Sequence, residues 1–156
     1  MRILVVSDTH GNDSSLRRAI LAQPKAEVVI HLGDGEEELL RAKRAFPEKM
    51  FLAVRGNCEA EVDQMVLPFP CMADYAVLLV DGVTFYLTHG HHANPENLPP
   101  LTAGSVFLSG HTHVKRDEVI GGIRCLNPGS VSIPKDGSHS YLLYEDGTFT
   151  FRTWED

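Results

Sequence analysis

Asp8 and His10 close the apolar run Ile3-Leu4-Val5-Val6 as an Asp-x-His pair, and four more segments of metal-ligating type follow. They are Gly33-Asp34, Gly56-Asn57, His89-Gly90 and Gly110-His111-Thr112-His113, each directly after a β-like stretch at 28–32, 50–54, 83–87 and 106–108. Strands that run the same way gather the residues at their ends along one sheet edge, where open α/β sheets place their sites. Asp8, His10, Asp34, Asn57, His89, His111 and His113 are therefore expected to converge. Such a set exceeds the needs of one tetrahedral zinc and suits two divalent ions that share a carboxylate.

The ligand types say more about the chemistry. Mixed carboxylate, imidazole and amide donors suit Mn, Fe, Co, Ni or Zn better than Mg or Ca. Two divalent ions outweigh the charge of Asp8, Asp34 and a bridging hydroxide, so the centre attracts a small anion such as a phosphate group. Metal-bound water is hydroxide near neutral pH, and a metal pair stabilises both the attacking and the departing oxygen of an in-line displacement. No Ser or Cys nucleophile with its own base is evident, so direct attack by a metal-bridging hydroxide is the expected mechanism. Taken singly, Asp34-Gly35 reads as a turn or helix cap, and any one histidine as an ordinary surface or core residue. The joint pattern favours the metal site. His31 is expected to be structural, His139 to lie at the surface, and His92 receives no role.

The elements that must position these residues alternate in type through the first half. Residues 2–7, 28–32 and 50–54 read as strands. Residues 14–22 and 36–46 read as helices, with Asn12, Asp13 or Ser14 as cap of the first and three glutamates in the first turn of the second. This β-α-β-α-β order implies parallel strands with right-handed crossovers. After Asn57 the pattern turns to hairpins: 76–80 and 83–87 around Asp81-Gly82, 119 and 123–126 around Gly121-Gly122, and 141–144 and 148–151 around Glu145-Asp146-Gly147. A second sheet packed on the first is expected, with residues 91–103, broken by Pro95, Pro99 and Pro100, as a loop over the site.

Bulk properties exclude several classes. The chain has 156 residues, of which 43% are hydrophobic, enough for one good core, and residues 1–156 are read as a single domain. A net charge of −7 and a pI near 5.6 argue against a long nucleic acid or an acidic membrane as partner. No signal peptide and no apolar run of the roughly eighteen residues that a membrane span needs is visible. Cys58, Cys71 and Cys125 form no CxxC motif and suggest neither disulfides nor a zinc knuckle. A reduced, soluble, cytoplasmic protein is expected.

Asp8-Thr9-His10-Gly11, Gly33-Asp34, Gly56-Asn57-Cys58-Glu59, Thr88-His89-Gly90-His91 and Gly110-His111-Thr112-His113 resemble the motifs of the calcineurin-like metallophosphoesterases. The resemblance is closest to their small single-domain prokaryotic phosphodiesterase branch, and Asn127-Pro128-Gly129-Ser130-Val131-Ser132-Ile133-Pro134 resembles that branch's C-terminal signature. It implies a four-layer α/β/β/α sandwich, two mixed β-sheets packed face to face and flanked by helices. It also implies one metal on Asp8, His10, Asp34 and His113, and a second on Asp34, Asn57, His89 and His111, with Asp34 bridging. Manganese is the implied ion, with Ni, Fe, Co or Zn as alternatives, and a homodimer is the implied assembly.

One position departs from many larger members of that family, which carry His directly after the Gly-Asn pair. Here it is Cys58, as is usual in the small branch. A thiol with a reference pKa of about 8.5 stays largely protonated at neutral pH and is a weak hydrogen-bond donor. His91 is the candidate to compensate by contacting phosphate, the alternative being an ordinary loop histidine. The expected function is a dinuclear metal-dependent phosphodiesterase acting on small phosphate esters, with Asp34, Asn57, Cys58 and His91 in catalytic roles. The alternatives are a phosphomonoesterase or nuclease on the same scaffold, or a protein-binding scaffold like a retromer subunit.

Overall fold

The opening apolar run forms β1 (Arg2–Val6), a strand covered on both faces, which is why it reads as continuous rather than alternating. A computed structural model of the chain describes residues 1–56 and 73–155. Asn57, Cys58 and the apolar segment 65–70 fall outside the described residues.

After β1 come α1 (Asp13–Ala22), β2 (Val28–His31), α2 (Glu36–Ala45) and β3 (Met50–Ala53). Asn12 caps α1: its side chain accepts from the Ser15 backbone N–H at 3.1 Å. β1 pairs with β2, and β2 with β3, in parallel as the alternation predicts. The later strands are β4 (Tyr75–Val80), β5 (Val83–Thr88), β6 (Val106–Leu108), β7 (Lys115–Ile120), β8 (Ile123–Pro128), β9 (His139–Glu145) and β10 (Thr148–Trp154). All three expected hairpins form. In the last of them the turn is only Asp146-Gly147, with φ of 47° and 89° and Glu145 still in the strand, which suits the two-residue turns that match strand twist.

The sheets are ordered β10-β9-β1-β2-β3 and β4-β5-β6-β8-β7. The final hairpin thus joins the first sheet, antiparallel to β1, instead of extending the second. Both sheets are mixed, since β5, β6 and β8 run parallel while β4 and β7 are antiparallel edges. Ile3 and Val5 of β1 face the second sheet, packing with Phe85, Leu87, Leu108 and Leu126. Leu4 and Val6 face the helices, with Leu16, Ile20 and Leu39. Both described helices therefore cover the first sheet. On the outer face of the second, Phe107 and Cys125 are packed by Ala93, Leu98 and Leu101 of the 91–103 segment, so loop stands there among the described residues. No described helix is long and apolar enough to cross a membrane.

Candidate metal centre

β1, β2 and β3 end on the same edge of their sheet, and β5 and β6 end on the facing edge of the other. Asp8 and Asp34 follow β1 and β2, His89 follows β5, and His111 and His113 follow β6. Asp8 Oδ1 stands 3.4 Å from Nε2 of both His10 and His113. Asp34 Oδ2 lies 3.5 Å from His10 Nε2 and 3.2 Å from His89 Nε2, between two imidazoles that do not share Asp8 equally. His89 Nε2 is 3.9 Å from Asp8 Oδ1, and His111 Nδ1 approaches that same His89 nitrogen at 3.2 Å. Six of the seven expected ligands are thus brought together, Asn57 being outside the described residues.

The ring orientations are set from behind. His89 Nδ1 lies 2.7 Å from the Leu32 carbonyl and His113 Nδ1 2.7 Å from that of Ile133. A carbonyl only accepts, so each Nδ1 carries a hydrogen, and in the neutral ring that leaves the Nε2 lone pair facing the centre. Asp8 Oδ2, the oxygen turned away, accepts from Ser7 Oγ at 2.7 Å and from the His111 backbone N–H at 3.1 Å. The Ser130 hydroxyl donates to the Asp8 carbonyl at 2.9 Å.

Burial and charge shift the histidines in opposite senses. Burial alone would lower the pKa of His89, but its hydrogen bond to Asp34 and the charges of Asp8 and Asp34 outweigh that and raise it. His111 is lowered, by burial first and then by His89. The backbone is strained where the ligands stand: Asp8, His10, Asp34, His111 and His113 all have left-handed φ, from 44° to 74°. Each such residue costs free energy that surrounding contacts must hold, a pattern typical of functional sites. Close approach adds a second constraint, since a Cβ at Gly56 would stand 2.0 Å from Asp34 Oδ1.

His91 borders a cleft of about 270 Å³ together with His111, Asn94, Arg116 and Asn127. Its Nδ1 is buried without a hydrogen-bond partner, and its pKa is lowered, by burial first and then by His92. His31 is structural as expected: the Gly33 N–H donates to its Nδ1 at 3.0 Å, and its Nε2 lies 3.1 Å from Thr9 Oγ1. His139 is not at the surface. It is buried, with Nδ1 2.8 Å from the Val131 carbonyl and its ring stacked on Trp154, 5.2 Å between centroids and 1° between planes. The strand extends further than its apolar residues indicate, so a polar residue in front of Tyr141 is carried inward. Arg55, which stands just after β3, is bound by Asp74. Ser7, Thr9 and Glu38 were missed, because a hydroxyl beside a ligand and a glutamate in a helical first turn carry no signal of their own.

The model of the calcineurin-like phosphoesterase superfamily domain matches residues 1–147. The phosphodiesterase YfcE of Escherichia coli K12 is 40% identical over 154 residues, covering 88% of this chain and 83% of that protein. The chain belongs to the calcineurin-like phosphoesterase superfamily. The solved structure of the E. coli phosphoesterase Yfce superposes with a TM-score of 0.84 at 36% identity, over 96% of this chain and 91% of that one. Vps29 of Entamoeba histolytica, solved with zinc, shares the fold at a TM-score of 0.66 and 18% identity, over 99% of this chain and 98% of that one. This calcineurin-like phosphoesterase is a metal-dependent phosphoric ester hydrolase, and its family implies divalent metal ions. The donor set fits them: carboxylates and imidazoles of Asp8, His10 and His113, and of Asp8, Asp34 and His89, each meet within one ion's reach, all of them buried except the solvent-facing His10.

Proposed function

We propose that this phosphoesterase is a phosphodiesterase in which Asp8, His10, Asp34 and His113 hold one divalent ion, and Asp34, Asn57, His89 and His111 a second. The observation that carries this reading is the place of Asp34 Oδ2, 3.5 Å from His10 Nε2 and 3.2 Å from His89 Nε2. A carboxylate oxygen so placed suits a bridging ligand. Manganese is the proposed ion, with Ni, Fe, Co or Zn as alternatives. When bound, such ions supply hydroxide at neutral pH and neutralise charge on phosphoryl oxygens in an in-line displacement.

The chain's own residues then divide the work. His89 and His113, locked by the Leu32 and Ile133 carbonyls, present fixed lone pairs and need no reorganisation on loading. His91, its pKa lowered by burial first, lines the cleft and would contact a phosphate oxygen from its wall. Cys58 follows Asn57 at the position where larger relatives carry the imidazole acid, so the leaving oxygen departs with little help from a proton donor.

Small esters are favoured over long nucleic acid. Lys115, Arg116 and Arg124 are each engaged, by Asp136, by Glu96 with Glu118, and by Asp117, which leaves them no continuous basic stripe for a polymer backbone. A protein-binding scaffold is disfavoured because every described ligand position holds a ligating side chain. The proposal extends to a homodimer in solution. Metal analysis of protein purified without chelator, followed by a panel of phosphate esters, tests the reading. Up to two transition ions per chain are expected, with hydrolysis abolished by EDTA and restored by Mn. Full activity in a verified metal-free sample would sink it.

A further inference from the structure

Between the ligands of the Asp8–His10 loop stands Thr9, and beyond them Gly11, and both turn away from the centre toward one carboxylate. The Thr9 hydroxyl donates to Glu38 Oε1 at 3.0 Å, and the Gly11 backbone N–H donates to the same oxygen. Thr9, His31 and Glu38 are 0%, 1% and 4% exposed, so these bonds form away from competing water. The polarity of the chain can be read. Gly33 N–H donates to His31 Nδ1, which leaves the hydrogen of the neutral ring on Nε2, donated to Thr9 Oγ1, whose own hydrogen passes to Glu38. One line of hydrogen bonds therefore joins the loop after β2, the loop after β1 and the third residue of α2. Gly35 makes room for it, because a Cβ there would stand 1.7 Å from Thr9 Oγ1.

A glutamate in the first turn of a helix is ordinarily a solvated complement to the helix dipole. Glu38 is instead buried, with Arg41 no nearer than 4.0 Å to its other oxygen. Its partners alternate with Asp8 and His10, whose φ values of 59° and 44° must be held against their own preference. We infer that Glu38, acting through Thr9 and Gly11, is the positioning residue that holds the strained Asp8–His10 loop and the Asp34 loop in metal-binding register. This rests on the metal-centre reading above.

The test is a cobalt(II) titration of chelator-stripped full-length protein, followed by the visible absorption of the bound ion, with metal-free melting as control. Glu38→Ala and Thr9→Val should weaken cobalt binding by about ten- to a hundredfold and alter the spectrum, while Glu38→Gln and Thr9→Ser, which keep the acceptor and the hydroxyl, should stay within about threefold of the parent. A folded Glu38→Ala protein with parental affinity and spectrum, or Glu38→Gln as weak as Glu38→Ala, would overturn the inference. If Glu38→Ala does not fold, the Thr9 pair decides, and equal affinities for Val and Ser overturn it. Absence of any cobalt spectrum in the parent would instead overturn the metal-centre reading itself.

Discussion

Asp8 Oδ2 accepts the backbone N–H of His111 at 3.1 Å, so a carboxylate after the first strand of one sheet is fastened to a loop of the other. The oxygen left over, Oδ1, is the one that faces His10 and His113. Asp8 is therefore placed to serve the proposed metal centre with one oxygen while its other bolts the two sheet edges together. Asp34 reaches imidazoles on either side of the centre through its single oxygen Oδ2.

Asp34→Asn should accordingly be the most harmful single ligand change. It removes charge where both halves of the centre need it, and kcat should fall by more than the ten- to hundredfold, roughly, that outer-shell changes cause. Metal content by elemental analysis should drop for both ions together. Loss of just one ion per chain would show that Asp34 does not bridge.

Protons and metal compete for His89. Its folded-state pKa is raised, so the stability it lends the metal-free protein is full below its unfolded value and lost as pH rises through the folded one. Metal needs the neutral ring, so the sense is opposite for binding. Apparent Mn affinity should be level at alkaline pH and fall on acidification, starting above the ordinary histidine value of about 6.5. His111, already lowered, should not contribute to that first fall. The melting-temperature rise that saturating Mn produces should shrink in parallel, read by calorimetry at a series of pH values. A rise that is the same on both sides of pH 6.5 would contradict the competition.

Leaving-group chemistry gives an independent reading of Cys58. A monoester carries more negative charge and should bind the cationic centre at least as well as a diester, but rate follows stabilisation of the transition state. Aryl phosphodiesters should be hydrolysed readily and alkyl phosphomonoesters slowly, because an aryl oxide departs without an acid. Cys58→His should narrow that gap. An unchanged dependence of kcat on leaving-group pKa in the variant would refute the explanation.

His139→Ala should destabilise without disarming. The change removes the hydrogen bond to Val131 and the stack on Trp154, together worth about 1–3 kcal/mol. The metal-free melting temperature should fall by several degrees, about 2–4 °C per kcal/mol for a chain of this size, with Mn stoichiometry retained. A variant that melts like the parent but loses metal would assign His139 to the centre instead.

Much of this was legible because strand ends leave a residue-type signature. The parallel order of β1, β2 and β3 follows from helix–strand alternation, and each Gly-containing turn marked its hairpin. What was not legible is long-range choice. Nothing in residues 139–154 indicates which sheet the last hairpin will join, since both offer apolar faces and open strand edges. His139 was misplaced for the same reason, its burial being decided by Trp154 across the hairpin. Glu38 was read as one of three acids of a helix start, and only the folded loop beneath it distinguishes it from its neighbours.

The seating of that last hairpin also sets a timetable. β1 lies between β2 and β9, with Ile3 opposite Val28 on one side and Tyr144 on the other. During synthesis the first strand can pair on one edge early, yet its other edge stays open until residues 139–145 have emerged. Contacts of such long sequence separation slow folding and leave an unpaired strand edge exposed to other chains meanwhile. Ribosome-bound chains stopped before residue 139 should therefore be prone to association, and the Asp8 loop should acquire its final shape only once β9 has paired with β1.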